Sequence, residues 1–185
     1  MKYASFVLLL FVCLFSSAQT DTSLIIKNVR AGMDSVQHSF KQGDWNSFTD
    51  LMHPDLIKLT GGRQKFIKLL ETQMGSLNNA SFDSLGTGNV LQLINYKGQW
   101  QCIVESFLQM SIELKTVTVI SGNIGVSYDN GSTWKFMRVS TGKEEMMVKL
   151  FPSLSPNLKP PLNKTFMGTV DEALKDYKPA YPVTN

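Results

Sequence analysis

From Ile25 to Phe40 the apolar residues Ile25, Ile26, Val29, Met33, Val36 and Phe40 recur three or four positions apart, which draws one stripe down a helix. Gly43 stands where such a helix ends, and Asp44 is placed to cap a second, shorter one carrying Trp45, Phe48, Leu51 and Met52. Pro54 biases His53 away from helical angles and so predicts a stop there. A brief strand is expected over 55–59, a turn at Gly61-Gly62, and a third helix over 63–74 with Phe66, Leu69, Leu70 and Met74 facing inward. From Ala80 the texture changes to β-branched and aromatic runs punctuated by Gly, Asn and Asp, which predicts strands over 81–85, 90–96, 100–114, 115–121, 124–128, 133–139 and 145–150.

The 100–114 run carries the clearest signal. Its even positions are Trp100, Cys102, Val104, Ser106, Leu108, Met110, Ile112 and Leu114; its odd positions include Gln101, Glu105, Gln109 and Glu113, with Ile103 and Phe107 between them. That alternation describes a strand with one face on the core and the other partly in water, and its length predicts a bend or bulge. Glu105 is therefore expected as a solvated carboxylate on the outer face. Beyond Leu150, prolines 152, 156, 160 and 161 predict an extended segment that leaves the sheet and crosses the body. Thr169 and Glu172 then form a capping-box pattern with Val170, Ala173, Leu174 and Tyr177 on one side of a short helix, which closes a tail over 154–185 that docks on the domain, mediates dimerisation or frays, with docking or fraying favoured.

The amino terminus sets the compartment. Lys2, an apolar run over 6–15 and the small residues Ser16, Ser17 and Ala18 have the layout of a secretory signal peptide over 1–18, and the apolar run is too short to span a bilayer. Export to a periplasm or the exterior follows, with no membrane span left after cleavage. Cys13 lies inside the signal's apolar core, so Cys102 alone remains and no intrachain disulfide is expected. Lys and Arg number 18 against 15 Asp and Glu, a net charge of +3, and the charges are scattered; neither a nucleic-acid surface nor a basic membrane patch is indicated.

Ser127 to Trp134 reads SYDNGSTW, the Asp-box pattern found on sialidase propellers. A propeller needs several four-stranded blades, and this chain has one such motif behind three helices. The stretch is better explained as a hairpin turn: Asn130 and Gly131 tolerate positive φ and Asp129 accepts from turn amides.

The order of elements is more telling. Lys41-Gln42-Gly43-Asp44-Trp45, His53-Pro54-Asp55 and Gly61-Gly62-Arg63, followed by hairpin-linked strands, resemble the opening of the nuclear transport factor 2-like superfamily, which includes ketosteroid isomerase and SnoaL-type cyclases. The resemblance covers about 24–153 and implies a domain over 19–153 of α+β class, a cystatin-like, cone-shaped roll of N-terminal helices packed on a strongly curved antiparallel sheet. The segments VSYDNGSTWKFM and LFPSLSP resemble exported bacterial members without an assigned activity. The resemblance also implies a pocket inside the cone, and Trp45, His53, Asp55, Tyr96, Trp100, Cys102 and Ser106 are the candidates to line it.

Catalytic members of that superfamily use a pocket carboxylate as base. Asp55 and His53 are the residues such proton-transfer chemistry would call on; capping the strand entry is the plainer role for Asp55, and a surface or hydrogen-bonded structural role for His53. Tyr96 closes a strand, Trp45 and Trp100 suit a core, and Cys102 alternates with core residues as an inert thiol. His38 and His53 have no metal-ligand spacing with Cys102, and no glycine loop or nucleophile elbow is present, so neither metal nor cofactor is called for. The reading that follows is an exported binder of a small hydrophobic molecule, or a scaffold. A SnoaL- or isomerase-like enzyme and a homodimer joined through the sheet face are the alternatives.

Overall fold

The computed structural model describes residues 21–77, 80–138, 146, 150–161 and 163–178. The signal-peptide expectation at 1–18 lies outside them. Helix α1 (Thr22–Gln42) starts on Asp21, whose carboxylate accepts from the Ser23 amide, and ends on Gly43 at φ 66°. It buries Ile25, Val29, Met33 and Val36, the stripe read from the spacing. At about 1.5–3 kcal/mol for each large aliphatic side chain withdrawn from water, this face is what holds the helix down. Asp44 caps α2 (Trp45–Leu51) by accepting from the Ser47 amide.

The next segment differs from expectation. Residues 54–59 form a helix, α3 (Pro54–Leu59), rather than a strand. Pro54 occupies its first turn, where a missing N–H costs nothing, and His53 is the cap, its Nδ1 accepting from the Asp55 amide. Proline thus starts a helix here as well as ending one. In α4 (Arg63–Gly75) Phe66 is buried but Leu69 is 43 % exposed, so the inward face is narrower than the spacing suggested.

The sheet is antiparallel, in the order β1 (Ala80–Tyr96), β2 (Gln99–Ile112), β3 (Lys115–Ser127), β4 (Lys135–Arg138), with β5 (Lys164–Met167) also on β3. Two pairs of expected strands, 81–85 with 90–96 and 115–121 with 124–128, are each one continuous strand. Register shifts near Phe82, Thr87 and Val90 mark bulges in β1, which bend a long strand without ending it. β4 pairs with residues 123–126 of β3 and β5 with residues 117–120, so the two share its far edge. The strand expected over 145–150 is overturned at its two described positions: Met146 and Leu150 are helical.

Both faces of the sheet are covered. On one side Val29 and Met33 of α1, with Met52 just past the end of α2, pack against Val90, Cys102, Val104 and Phe136. On the other, Phe151, Leu154 and Leu158 pack on Leu91, Ile103, Ile124, Val126 and Met137. Odd positions 101, 103 and 105 of β2 are consequently dry: Gln101 and Ile103 are fully buried and Glu105 is 3 % exposed, in place of the expected solvated face. The tail docks. Gln101 clamps it, donating from Nε2 to the Ser153 carbonyl and accepting from the Ser155 amide, each at 2.8 Å. Gln92 accepts from the Lys159 amide, Gln109 from the Val170 amide, and Thr118 donates to the Gly168 carbonyl. The final helix, α5 (Val170–Asp176), carries the capping box of Thr169 and Glu172 read from the sequence.

The Asp-box is a turn. Asn130 and Gly131 take φ of 57° and 86°, and the Asp129 carboxylate accepts from both the amide and the hydroxyl of Thr133. Buried Trp134 closes it from below, donating from Nε1 to the Gly131 carbonyl.

Candidate functional site

Between α1, α2 and the helix-facing side of the sheet lies a cavity of about 150 Å³. The helices contribute Met33, Val36 and Phe40 from α1 and Phe48 from α2, with Met52 just beyond it; the sheet contributes Leu85, Leu108 and Phe136. These residues reach one space because the α1 stripe turns Met33, Val36 and Phe40 to the sheet, and alternation turns Leu108 and Ser106 to the helices.

A polar band crosses this apolar surface. Thr87, Ser106 and Ser121 stand opposite one another on β1, β2 and β3, and Asn123 stands opposite Arg138 on β4. Asn123 Nδ2 donates to Ser106 Oγ at 2.9 Å, and Arg138 Nη2 donates to Ser121 Oγ at 2.5 Å. Ser106, Asn123 and Arg138 all line the cavity, and Arg138 is exposed at its rim. Among the described residues no carboxylate pairs with this guanidinium.

Gln37 completes the band from the helix side. Thr87 Oγ1 donates its one proton to the acceptor-only carboxylate of Asp34 at 2.6 Å, so it must accept from Gln37 Nε2 at 3.4 Å. That relay identifies the carboxamide end beside Thr87 as the nitrogen and leaves Gln37 Oε1 buried without a protein partner, on a residue that lines the cavity. An unpaired buried acceptor costs about 1–3 kcal/mol.

Of the seven residues singled out from the sequence, Ser106 lines the cavity. Trp45 packs edge-on against Phe40 and Phe48, with ring centroids 5.9 and 6.1 Å apart, behind the cavity wall. Trp100 packs against the helix-side core, and fully buried Cys102 sits beneath Gly125, where an added Cβ would lie 2.7 Å from its sulfur. Burial pushes the Cys102 thiol well above its ordinary pKa, as expected of an inert sulfur. Tyr96 lies at the end of β1 under Lys97, whose Nζ is 5.0 Å from the ring centre. Asp55 is half-buried in the first turn of α3, outside the cavity lining, and pairs with Lys58 at 3.3 Å.

His53 is fully buried, but between the sheet edge and the tail: its amide donates to the Phe136 carbonyl at 2.8 Å and its ring meets Phe151 edge-on at 5.7 Å. Because Nδ1 accepts from the Asp55 amide, the neutral ring carries its proton on Nε2 and donates to Tyr128 Oη at 3.0 Å. Burial lowers the His53 pKa, with the Asp55 charge opposing more weakly. This geometry is a neutral cap and spacer.

Two further hollows flank the body. One of about 330 Å³ opens beside Tyr128, Lys135 and the Asp50–Arg63 ion pair. The other, about 290 Å³, lies on the tail side around Glu105, Tyr177 and Leu174. Gly86 and Gly88 admit the Phe107 and Glu105 side chains over β1; a Cβ at Gly88 would lie 2.9 Å from Glu105 Cβ. Glu105 accepts from the Asn89 amide and Nδ2, each at 3.3 Å, and from the Tyr177 hydroxyl. Burial, then the bond to Glu105, pushes the Tyr177 phenol upward. With these donors on it, Glu105 anchors the end of the tail.

Gln37, Asn123 and Arg138 were missed from sequence. Gln37 had a signal: it falls four residues after Met33, on the buried stripe, where a polar side chain is unusual. Asn123 and Arg138 could be found only once the β3–β4 register was known.

The chain matches no protein-family model, no curated protein and no solved structure. Among the described residues no cluster of His, Cys, Asp or Glu could hold a metal ion, and no helix is long and apolar enough to cross a membrane.

Proposed function

We propose that this protein is an exported, non-covalent binder of a small, largely apolar molecule, held in the cavity between α1, α2 and the sheet. The supporting observation is the lining: aliphatic, aromatic and methionine side chains around one polar band, with no Asp, Glu or His among the lining residues described. Helices laid over one face of a bulged antiparallel sheet are compatible with the cone of the nuclear transport factor 2-like superfamily, and the signal-like first 18 residues support export. The proton-transfer reading has less support, since Asp55 pairs with Lys58 outside the cavity lining and His53 is a buried cap beside the tail.

Size restricts the ligand. A cavity near 150 Å³ matches one that admits benzene in another protein, whereas drug-sized ligands occupy about 300–1,000 Å³. The ligand is therefore one ring or a short chain, not a sterol. Scanning fluorimetry against toluene, indole, cyclohexanol and short alcohols tests this. A ligand at 100 times its Kd adds about 2.7 kcal/mol, or roughly 5–11 °C in Tm for a domain of this size. If no member of the panel raises Tm, the binding function is wrong.

A further inference from the structure

We infer that the cavity selects a ring-sized carboxylate bearing a hydroxyl group, its anion over Arg138 and its hydroxyl on Gln37. This rests on the binding function proposed above and narrows it to a chemical class.

The anion follows from the rim. Arg138 spends one N–H on Ser121 Oγ, a neutral acceptor, and no carboxylate among the described residues claims the rest of its fork. A guanidinium at the mouth of an apolar hollow is a ready partner for a planar, bidentate anion, and a carboxylate has that geometry. Ser106 and Asn123, already linked at 2.9 Å, form the polar floor beside it.

The hydroxyl follows from the wall. Gln37 is 7 % exposed, and the Asp34–Thr87 relay commits its nitrogen while leaving Oε1 unpaired. An acceptor left dry needs a donor. A ligand hydroxyl supplies one once the carboxamide swings about its soft terminal torsion toward the cavity, giving up the long 3.4 Å bond to Thr87. Apart from that polar floor, the rest of the lining, including Met33, Phe40, Phe48 and Leu108, demands an apolar body.

The test is calorimetric titration at low ionic strength with toluene, benzoate and the three isomers of hydroxybenzoate. The expected order places at least one hydroxybenzoate about tenfold tighter than benzoate, and benzoate about tenfold tighter than toluene. Arg138→Gln, a change at an exposed position, should erase the advantage of benzoate over toluene. Arg138→Lys should restore part of it. Toluene binding as tightly as benzoate overturns the anion half while the binding function stands. Hydroxybenzoates no better than benzoate overturn the hydroxyl half. If no probe binds, the binding function and this inference fall together.

Discussion

Leu154 is the residue through which the sealed second face can be weighed. It is 4 % exposed and packs with Phe151 and Leu158 on Leu91, Ile103, Ile124, Val126 and Met137. Leu154→Ala deletes buried methyl groups and leaves a void that the sheet, tied at Gln101, can close only in part. Such truncations cost about 2–5 kcal/mol, a large share of the roughly 5–15 kcal/mol that holds a domain folded. At 2–4 °C per kcal/mol for a chain of this size, Tm should fall by roughly 4–20 °C. The assay is urea unfolding followed by tryptophan fluorescence and far-ultraviolet circular dichroism, with Leu114→Ala as control. Leu114 is fully exposed, and its truncation should stay within about 0.5 kcal/mol. A loss below about 1 kcal/mol for Leu154→Ala, at an unchanged urea slope, would mean that the tail does not cover the sheet.

Three other predictions follow from buried polar groups. His53 has a pKa below its unfolded value of about 6.5, so the unfolded chain binds the extra proton first. Stability should therefore decline as pH falls below about 6.5, by at most about 1.4 kcal/mol per pH unit, and level off below the folded pKa. His53→Asn, which can still cap α3, should lose that slope between pH 7.5 and 5; an unchanged slope in urea midpoints would remove His53 as the cause. Tyr177→Phe keeps the ring that Lys164 covers but removes a donor from Glu105, and should cost about 1.5–3 kcal/mol with faster amide exchange in α5. Unchanged exchange there would detach the tail helix from Glu105. Cys102, fully buried with its ionisation suppressed, should react with an aromatic disulfide reagent only at the rate of unfolding, and labelling within seconds in native buffer would contradict that placement.

The sequence was most legible where local chemistry and burial agreed. The α1 stripe, the Asp44 cap, the capping box at Thr169 and the turn at Asn130-Gly131 each appear in place, because each rests on neighbours a few residues apart. The strand expected over 55–59 was misjudged because proline marks both ends of helices, and so short a span is too brief for periodicity to arbitrate. The outer face of β2 was misjudged for a different reason. Gln101 and Glu105 are polar, as on a wet face, but they are polar in order to hold backbone and phenol groups of a tail more than fifty residues away. Side chains that serve a distant partner look like side chains that serve water. The same limit hid most of the cavity: Gln37, Asn123 and Arg138 come together through strand register and helix packing.

Methionine methyl resonances report on the cavity directly, because Met33 and Met52 line it while Met110 and Met167 do not. In protein carrying carbon-13 methionine methyl groups, titration with toluene should shift the Met33 and Met52 signals along a saturable curve and leave Met110 and Met167 in place. Signals at Met33 and Met52 that stay fixed to the solubility limit, or a shift confined to the exposed Met167, would contradict a ligand site beneath the helices.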